Sequence, residues 1–253
     1  MCLVVVAWQQ HPHYPLVVAG NRDEFHERPT AALDFWDDQP DIAGGRDLKA
    51  RGTWLAVNRN GRFATVTNFR DAAIADNRLR SRGHLVTEFL RSTESAGDYL
   101  SGIDGDAYAG FNLLVADGNS FGWYSNRGGE AIILPPGIYG LSNALLDSPW
   151  HKVTSRKAAM AGLISREQVT TLDLFDLLSD QSRAPEAEVE VGRLPFETAH
   201  AITAPFIVQP DYGTRCSSAV LADKNGHWQI SERRFAPDGT TTGESRIEFD
   251  NAI

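Results

Sequence analysis

Met1-Cys2-Leu3-Val4-Val5-Val6-Ala7-Trp8 opens the chain, and its reading decides the fold. Residues 3–8 are an unbroken apolar run rich in β-branched side chains. The run is too short to cross a membrane and lacks polar alternation, so it predicts a buried strand. Cys2 stands at the tip of that strand. Removal of Met1 leaves Cys2 with both a thiol and a free α-amino group. The thiol is a nucleophile once ionised, and an amine with an ordinary pKa near ~8 takes its proton without a histidine.

Working outward, residues 9–15 form a polar, proline-marked turn and residues 16–20 a second buried strand, so residues 2–20 read as a hairpin. Asn21-Arg22-Asp23-Glu24 follows at once, and the hairpin returns this polar cluster to the side of Cys2. Residues 26–51, with Pro29, Pro40, Gly44 and Gly45, read as loop. Strands over residues 52–58 and 62–67 flank the turn Asn58-Arg59-Asn60-Gly61. The second of them ends in the polar Asn68-Phe69-Arg70-Asp71. Residues 71–82 read as a charged, solvated face carrying Arg78, Arg80 and Arg82.

Helices are predicted over residues 83–90 and 95–103, then short strands over 112–116, 120–124, 131–134 and 138–141. After Leu141-Ser142-Asn143, Ser148 as cap and Pro149 as first helical residue start a helix with Trp150, Val153, Met160 and Ile164 on one face. Ser165-Arg166-Glu167-Gln168 has capping-box form before Leu172, Phe175 and Leu178. Residues 180–200 read as an acidic loop. Residues 201–208, 216–222 and 226–234 read as late strands, and 246–249 as an edge strand. About ten strands in hairpins, with helices in two clusters, predict an α+β fold of mainly antiparallel sheets covered by helix layers. No linker interrupts residues 1–253, which read as a single domain.

The net charge of −9 lacks the basic surplus that nucleic acid or an anionic membrane surface requires. Cys2 and Cys216 are the only cysteines, too few for a disulfide framework, which favours a reducing compartment. No stretch is long enough for a transmembrane helix, and the N-terminus lacks a basic n-region. The expectation is a soluble, cytoplasmic protein without membrane insertion. His11 and His13 share a turn with no third ligand nearby, so they read as exposed and no metal is expected. His26, His84, His151 and His200 show no spacing for a separate catalytic triad.

With these residues in view, the chain resembles the NRDE family, also called the transport and Golgi organisation protein 2 family. The matching blocks are Met1-Cys2, Asn21-Arg22-Asp23-Glu24, Gly52-Thr53-Trp54-Leu55, Val66-Thr67-Asn68-Phe69-Arg70, Leu141-Ser142-Asn143 and Tyr212-Gly213-Thr214-Arg215. That family in turn resembles cysteine N-terminal-nucleophile (Ntn) hydrolases such as penicillin V acylase and bile salt hydrolase. The resemblance implies a four-layer αββα sandwich, cleavage of an amide bond, and a site built from Cys2, Arg22, Asp23, Asn68, Asn143 and Arg215. Arg22 and Asp23 are adjacent here, a departure from the acylases' spacing.

In that reading Arg22 lowers the thiol pKa and Asp23 accepts from the α-amino group. Asn143 and Asn68 donate to the oxyanion, and Arg215 closes the charge network or holds a substrate carboxylate. Asn21, Glu24, Phe25, Trp54 and Phe69 are the expected ligand contacts, and no cofactor is required. The resemblance also implies haem binding or trafficking. Haem would then be a reversible ligand, since no Cys-x-x-Cys-His motif exists, in a slot lined by Phe25, Phe35, Trp36, Trp54 and Phe69. A third implied class is an interaction protein of Golgi organisation or lipid homeostasis. The expected partner is a small-molecule substrate or haem.

Overall fold

The structure, a computed structural model, describes residues 2–70 and 79–251. Met1 and most of the predicted charged face over residues 71–82, Arg78 included, lie outside the described residues. The chain runs β1 (Cys2–Trp8), β2 (Leu16–Phe25), β3 (Thr30–Trp36), β4 (Gln39–Asp47), β5 (Leu55–Asn58), β6 (Phe63–Asn68), α1 (Gly83–Arg91), α2 (Ala96–Ser101), β7 (Phe111–Ala116), β8 (Phe121–Ser125), β9 (Ile132–Ile133) and β10 (Gly137–Leu141). It continues through α3 (His151–Ile164), α4 (Thr171–Leu178), α5 (Phe196–Ala201), β11 (Tyr212–Ala222), β12 (His227–Phe235) and β13 (Thr241–Asp250).

The strands form two antiparallel sheets, ordered β10-β1-β2-β11-β12-β13 and β3-β4-β5-β6-β7-β8-β9. Alternation along β1 explains why they stack. Val4, Val6 and Trp8 face the second sheet and join Leu55, Val57, Phe63 and Leu114 in a core between the sheets. Leu3, Val5 and Ala7 face the other way, onto Val153 and Met160 of α3 and Leu174 and Phe175 of α4. On the outer face of the second sheet, Ala64, Val66, Leu113 and Val115 pack under Leu85, Val86 and Phe89 of α1 and Leu100 of α2. The layers are therefore helix, sheet, sheet, helix: the αββα sandwich implied by the sequence. Among the described residues no helix is long and apolar enough to cross a membrane.

Four expectations need correction. α3 starts at His151 with Trp150 as its N-cap residue and no side-chain cap, so Ser148 and Pro149 precede the helix. Residues 26–51 are mostly a hairpin rather than loop, with Thr30 opposite Asp47 and Trp36 opposite Gln39. Two register irregularities and the exposed positions on β3 and β4 erase the period-two pattern that would reveal it. Residues 201–208 are not a strand. They are apolar because Ala201, Ala204, Phe206 and Ile207 are buried beneath a turn held by Phe206 N to Asp180 O and Ile207 N to Thr214 Oγ1. The capping box of α4 is Thr170 with Asp173, five residues beyond the predicted one at Ser165.

Two glycines give opposite expectations. A Cβ on Gly52 would lie 2.6 Å from the carbonyl carbon of Gly83, where the strand-to-helix segments cross. Gly162 sits inside α3, and a Cβ there would meet nothing within 4 Å. Gly52→Ala should lower unfolding free energy by about 1–3 kcal/mol, and Gly162→Ala should raise it by about 0.5–1 kcal/mol. Urea denaturation of both variants checks the pair, and equal effects would contradict the close approach.

Candidate active site

Cys2 lies at the N-terminal end of β1, and alternation places its side chain on the Val4 face, between the sheets. Opposite Cys2 on β2 stands Arg22, and opposite Arg22 on β11 stands Cys216. Directly opposed residues share a face, so the three form one rung across the sheet. The two cysteines are free thiols separated by two strand spacings, roughly 10 Å, farther than a disulfide spans.

The residues after β10 close the site. Ser142 Oγ donates to the Cys2 carbonyl at 2.7 Å, and Cys2 N donates to Asn143 Oδ1 at 3.2 Å. Asn143 Nδ2 donates onward to the Asn68 carbonyl at the end of β6, at 2.7 Å. Asn143 thus ties the nucleophile's backbone to the second sheet. In the encoded chain the Cys2 N–H belongs to a peptide bond; removal of Met1 leaves an amine at that atom, facing the same acceptor.

Asp23, the next residue on β2, faces the opposite way, toward the helix layer. Its Oδ1 accepts from Thr214 Oγ1 at 2.8 Å, and its backbone carbonyl accepts from the Tyr212 hydroxyl at 3.1 Å. Lys152 of α3 enters the same buried region, 2% exposed, with Nζ donating to the Ile202 carbonyl at 3.1 Å. Burial pushes the Asp23 carboxyl up to about 6, against the downward pull of Lys152, the amino terminus and Arg22. Burial pushes the Lys152 ammonium down, with Asp23 opposing. The Cys2 thiol is also raised by burial, which outweighs the amino terminus and Arg22. The expected lowering by Arg22 is therefore present but overruled.

A cavity of about 130 Å³ opens at the rung, walled by Cys2, Arg22, Glu24, Trp54 and Asn68, with Cys216 and Glu232 behind. Arg22 Nη2 lies 3.8 Å from Glu24 Oε2, and the buried Nη1 has no hydrogen-bond partner among the described residues. A second cavity of about 660 Å³ is walled by Phe69, Arg70, Asn143, Trp150, His151 and Lys152. Asn68 on the wall of the first and Asn143 on the wall of the second are joined by the hydrogen bond from Asn143 Nδ2 to the Asn68 carbonyl.

Of the predicted catalytic residues, Cys2, Arg22, Asp23 and Asn68 line the first cavity and Asn143 the second. Arg215 lines neither. A β-bulge between Thr214 and Cys216 turns it out of the rung, and Nη1 donates to the carbonyls of Phe25 and Arg28 at 2.9 and 3.1 Å. Of the predicted ligand contacts, Glu24 and Trp54 line the first cavity and Phe69 the second. Phe25 is 55% exposed against the ring of Tyr212. Asn21 is fully buried, donating to the carbonyls of Leu178 and Pro205 and accepting from Ser217 Oγ, so it ties β2 to the helix layer.

The aromatic slot does not form: Phe35 packs on Phe249, and Trp36 sits in the outer core with Nε1 donating to the Gly44 carbonyl. His11 is buried rather than exposed. Its Nε2 donates to the Arg166 carbonyl and its Nδ1 accepts from His13 N and Tyr14 N. Sequence reasoning missed Lys152, Thr214 and Glu232. Lys152 lies one step off the Val153–Met160 stripe, where a lysine normally reads as solvated.

The raised Asp23 pKa fixes a sign. Between an unfolded value near 4 and about 6 the folded chain alone holds the proton, so stability falls as pH rises through that window. Relative to Asp23→Asn, the wild type should lose about 3 kcal/mol between pH 4 and 7. Chemical denaturation at a series of pH values checks it; a flat difference, or one that grows with pH, would contradict the burial of this carboxyl.

A family model for transport and Golgi organisation 2 matches residues 1–237. The transport and Golgi organization protein 2 homolog of Bos taurus is 35% identical over 276 residues, covering 98% of this chain and 100% of the relative. The Homo sapiens homolog is 34% identical over 269 residues, covering 97% of each. Among solved structures, the C2A mutant of conjugated bile acid hydrolase from Clostridium perfringens aligns with a TM-score of 0.56 at 8% identity, covering 98% of this chain and 92% of that one. The Caenorhabditis elegans N-acylethanolamine-hydrolyzing acid amidase ortholog aligns with a TM-score of 0.52 at 10% identity, covering 87% and 92%. These likenesses show an Ntn-hydrolase-type fold. By the family model and the full-length relatives together, the chain belongs to the transport and Golgi organisation 2 family.

Proposed function

We propose that this chain, after loss of Met1, is an Ntn-type cysteine amidohydrolase acting on a small amide. The observation that carries the reading is the bond from Cys2 N to Asn143 Oδ1, beside a thiol that lines a polar cavity. It fixes the atom that becomes the amine next to its own sulfur. The Cys2 sulfur adds to the amide carbon while the thiol proton passes to the α-amine. Asn68 lines the cavity and is the donor for the oxyanion, since Asn143 is engaged in holding Cys2 to the second sheet. The ammonium returns the proton to the leaving nitrogen as the C–N bond breaks, leaving a thioester on Cys2. Water then adds to the thioester with the amine as base, releasing the acid and restoring the thiol.

Arg22 Nη1, buried and without a hydrogen-bond partner among the described residues, is the donor for an anionic group on the amine half of the substrate. The larger cavity, with Phe69 and Trp150 on its wall, suits an apolar acyl half. Both structural neighbours are named for hydrolysing an amide, an N-acylethanolamine in one and a conjugated bile acid in the other, which agrees with an acyl half; the N-acylethanolamine carries a neutral hydroxyl where Arg22 would take an anion. Two free thiols in one rung fit a reducing, cytoplasmic compartment.

A second reading, reversible haem carriage, is favoured by one observation. His151 Nε2 is buried without a hydrogen-bond partner among the described residues, on the wall of the larger cavity. The cavity at Cys2, about 130 Å³, is too small for a porphyrin, so Cys2 does not fit haem as an enclosed ligand.

Cys2→Ala and Cys2→Ser should keep the wild-type melting midpoint. Their release of glycine from N-acylglycines of graded chain length should fall on the order of 10³-fold or more. An active Cys2→Ala protein sinks the nucleophile assignment. For haem, a titration followed by absorbance should show a spectral shift abolished by His151→Ala; the same shift in both proteins removes the haem reading at this cavity.

A further inference from the structure

We propose that Lys152 is a positioning residue for the Cys2 amine: its buried ammonium balances the Asp23 carboxylate and keeps the amine beside it a free base. The inference rests on the amidohydrolase reading for its consequence, and on geometry for its premise.

Lys152 is 2% exposed, and its Nζ hydrogen bond goes to a neutral carbonyl, that of Ile202. An ammonium in such a place needs an opposite charge close by. Among the described residues only Asp23 and Glu232 are buried carboxylates. Glu232 lies on the inter-sheet side, where Oε1 accepts from Leu33 N at 3.0 Å and meets Arg234 Nη1 at 3.2 Å. Asp23 lies on the helix side of β2, the side α3 covers. The counter-charge of Lys152 is therefore Asp23.

The charged and titratable groups around this pair come from every neighbouring element. β1 begins at Cys2 opposite Arg22 of β2, which leaves the Cys2 backbone nitrogen one register step from Asp23, and β11 brings the Tyr212 hydroxyl and Thr214. The segment after β6 brings Arg70, a second cation near Lys152. An ionised Asp23 alone would stabilise the protonated amine and so silence the base. Lys152 cancels that effect while keeping Asp23 an acceptor that orients the amine. Lys152 itself touches no reacting atom in this scheme, so it acts through Asp23.

The test uses the full chain free of Met1, as wild type, Lys152→Met, Lys152→Gln and Lys152→Arg, with Cys2→Ala as the labelling control. Three quantities are read: the pH midpoint of the Asp23 carboxyl by ¹³C NMR, the pH profile of Cys2 alkylation by iodoacetamide, and the melting midpoint. Lys152→Met and Lys152→Gln should raise the Asp23 midpoint and move the alkylation midpoint up by about one pH unit, roughly tenfold slower labelling near neutrality. Lys152→Arg should restore both. A lowered melting midpoint with both pH midpoints unmoved means a merely structural lysine and overturns the proposal. An inert wild-type Cys2 with an Asp23 midpoint that still follows Lys152 overturns the amidohydrolase reading, while the Lys152–Asp23 pairing stands.

Discussion

β1 has no face toward water. From Leu3 to Trp8 every side chain is buried, alternately against the second sheet and against α3 and α4. A strand with two apolar faces demands a layer on each, and the four-layer order follows from that demand. The strand's interior cannot hold a polar group without cost, so polar chemistry is confined to its end. There Cys2 meets Ser142 and Asn143 from one neighbour, Arg22 from the other and Asn68 from the opposite sheet. The reactive centre is the point where the two sheets stop being purely hydrophobic.

Alternation also explains why four consecutive polar residues serve four different ends. Arg22 and Glu24 face the space between the sheets, where both line the cavity and approach each other at 3.8 Å. Asn21 faces the helix layer and fastens β2 to the backbone after α4 and before β11. Asp23, on that same side, accepts from Thr214 Oγ1 and feels the charge of Lys152. The adjacency of Arg22 and Asp23 is then no anomaly. Neighbours on a strand stand on opposite sides of the sheet, so the cation lies on the Cys2 side and the carboxylate on the helix side. Burial governs the charges on both sides, raising the Cys2 thiol and the Asp23 carboxyl above their ordinary values. In the proposed reaction a thiol of that kind attacks as its proton leaves, and the amine left by removal of Met1 takes that proton.

Much of this is legible in the chain itself. The apolar run of β1, its hairpin with β2 and the polar tetrapeptide announce a buried strand with a functional tip. The local period also reveals most of the later strands and the helices. Three kinds of feature stay hidden. Irregular pairing conceals the β3–β4 hairpin, because bulges break the alternation by which strands are read. Burial without regular structure makes residues 201–208 look like a strand. Long-range partners escape altogether: Lys152 acquires its meaning only when α3 is laid over β1 and β10, and Arg215 loses its expected place to a one-residue bulge.

The central claim is that Cys2 carries an acyl group during turnover. Intact-mass spectrometry of the Met1-free protein, quenched in acid seconds after mixing with an N-acylglycine, tests it most directly. The account predicts a mass increase equal to the acyl group, located on the N-terminal peptide and removed by hydroxylamine. Glycine release with no such adduct on wild type, or the same adduct on Cys2→Ala, would contradict it.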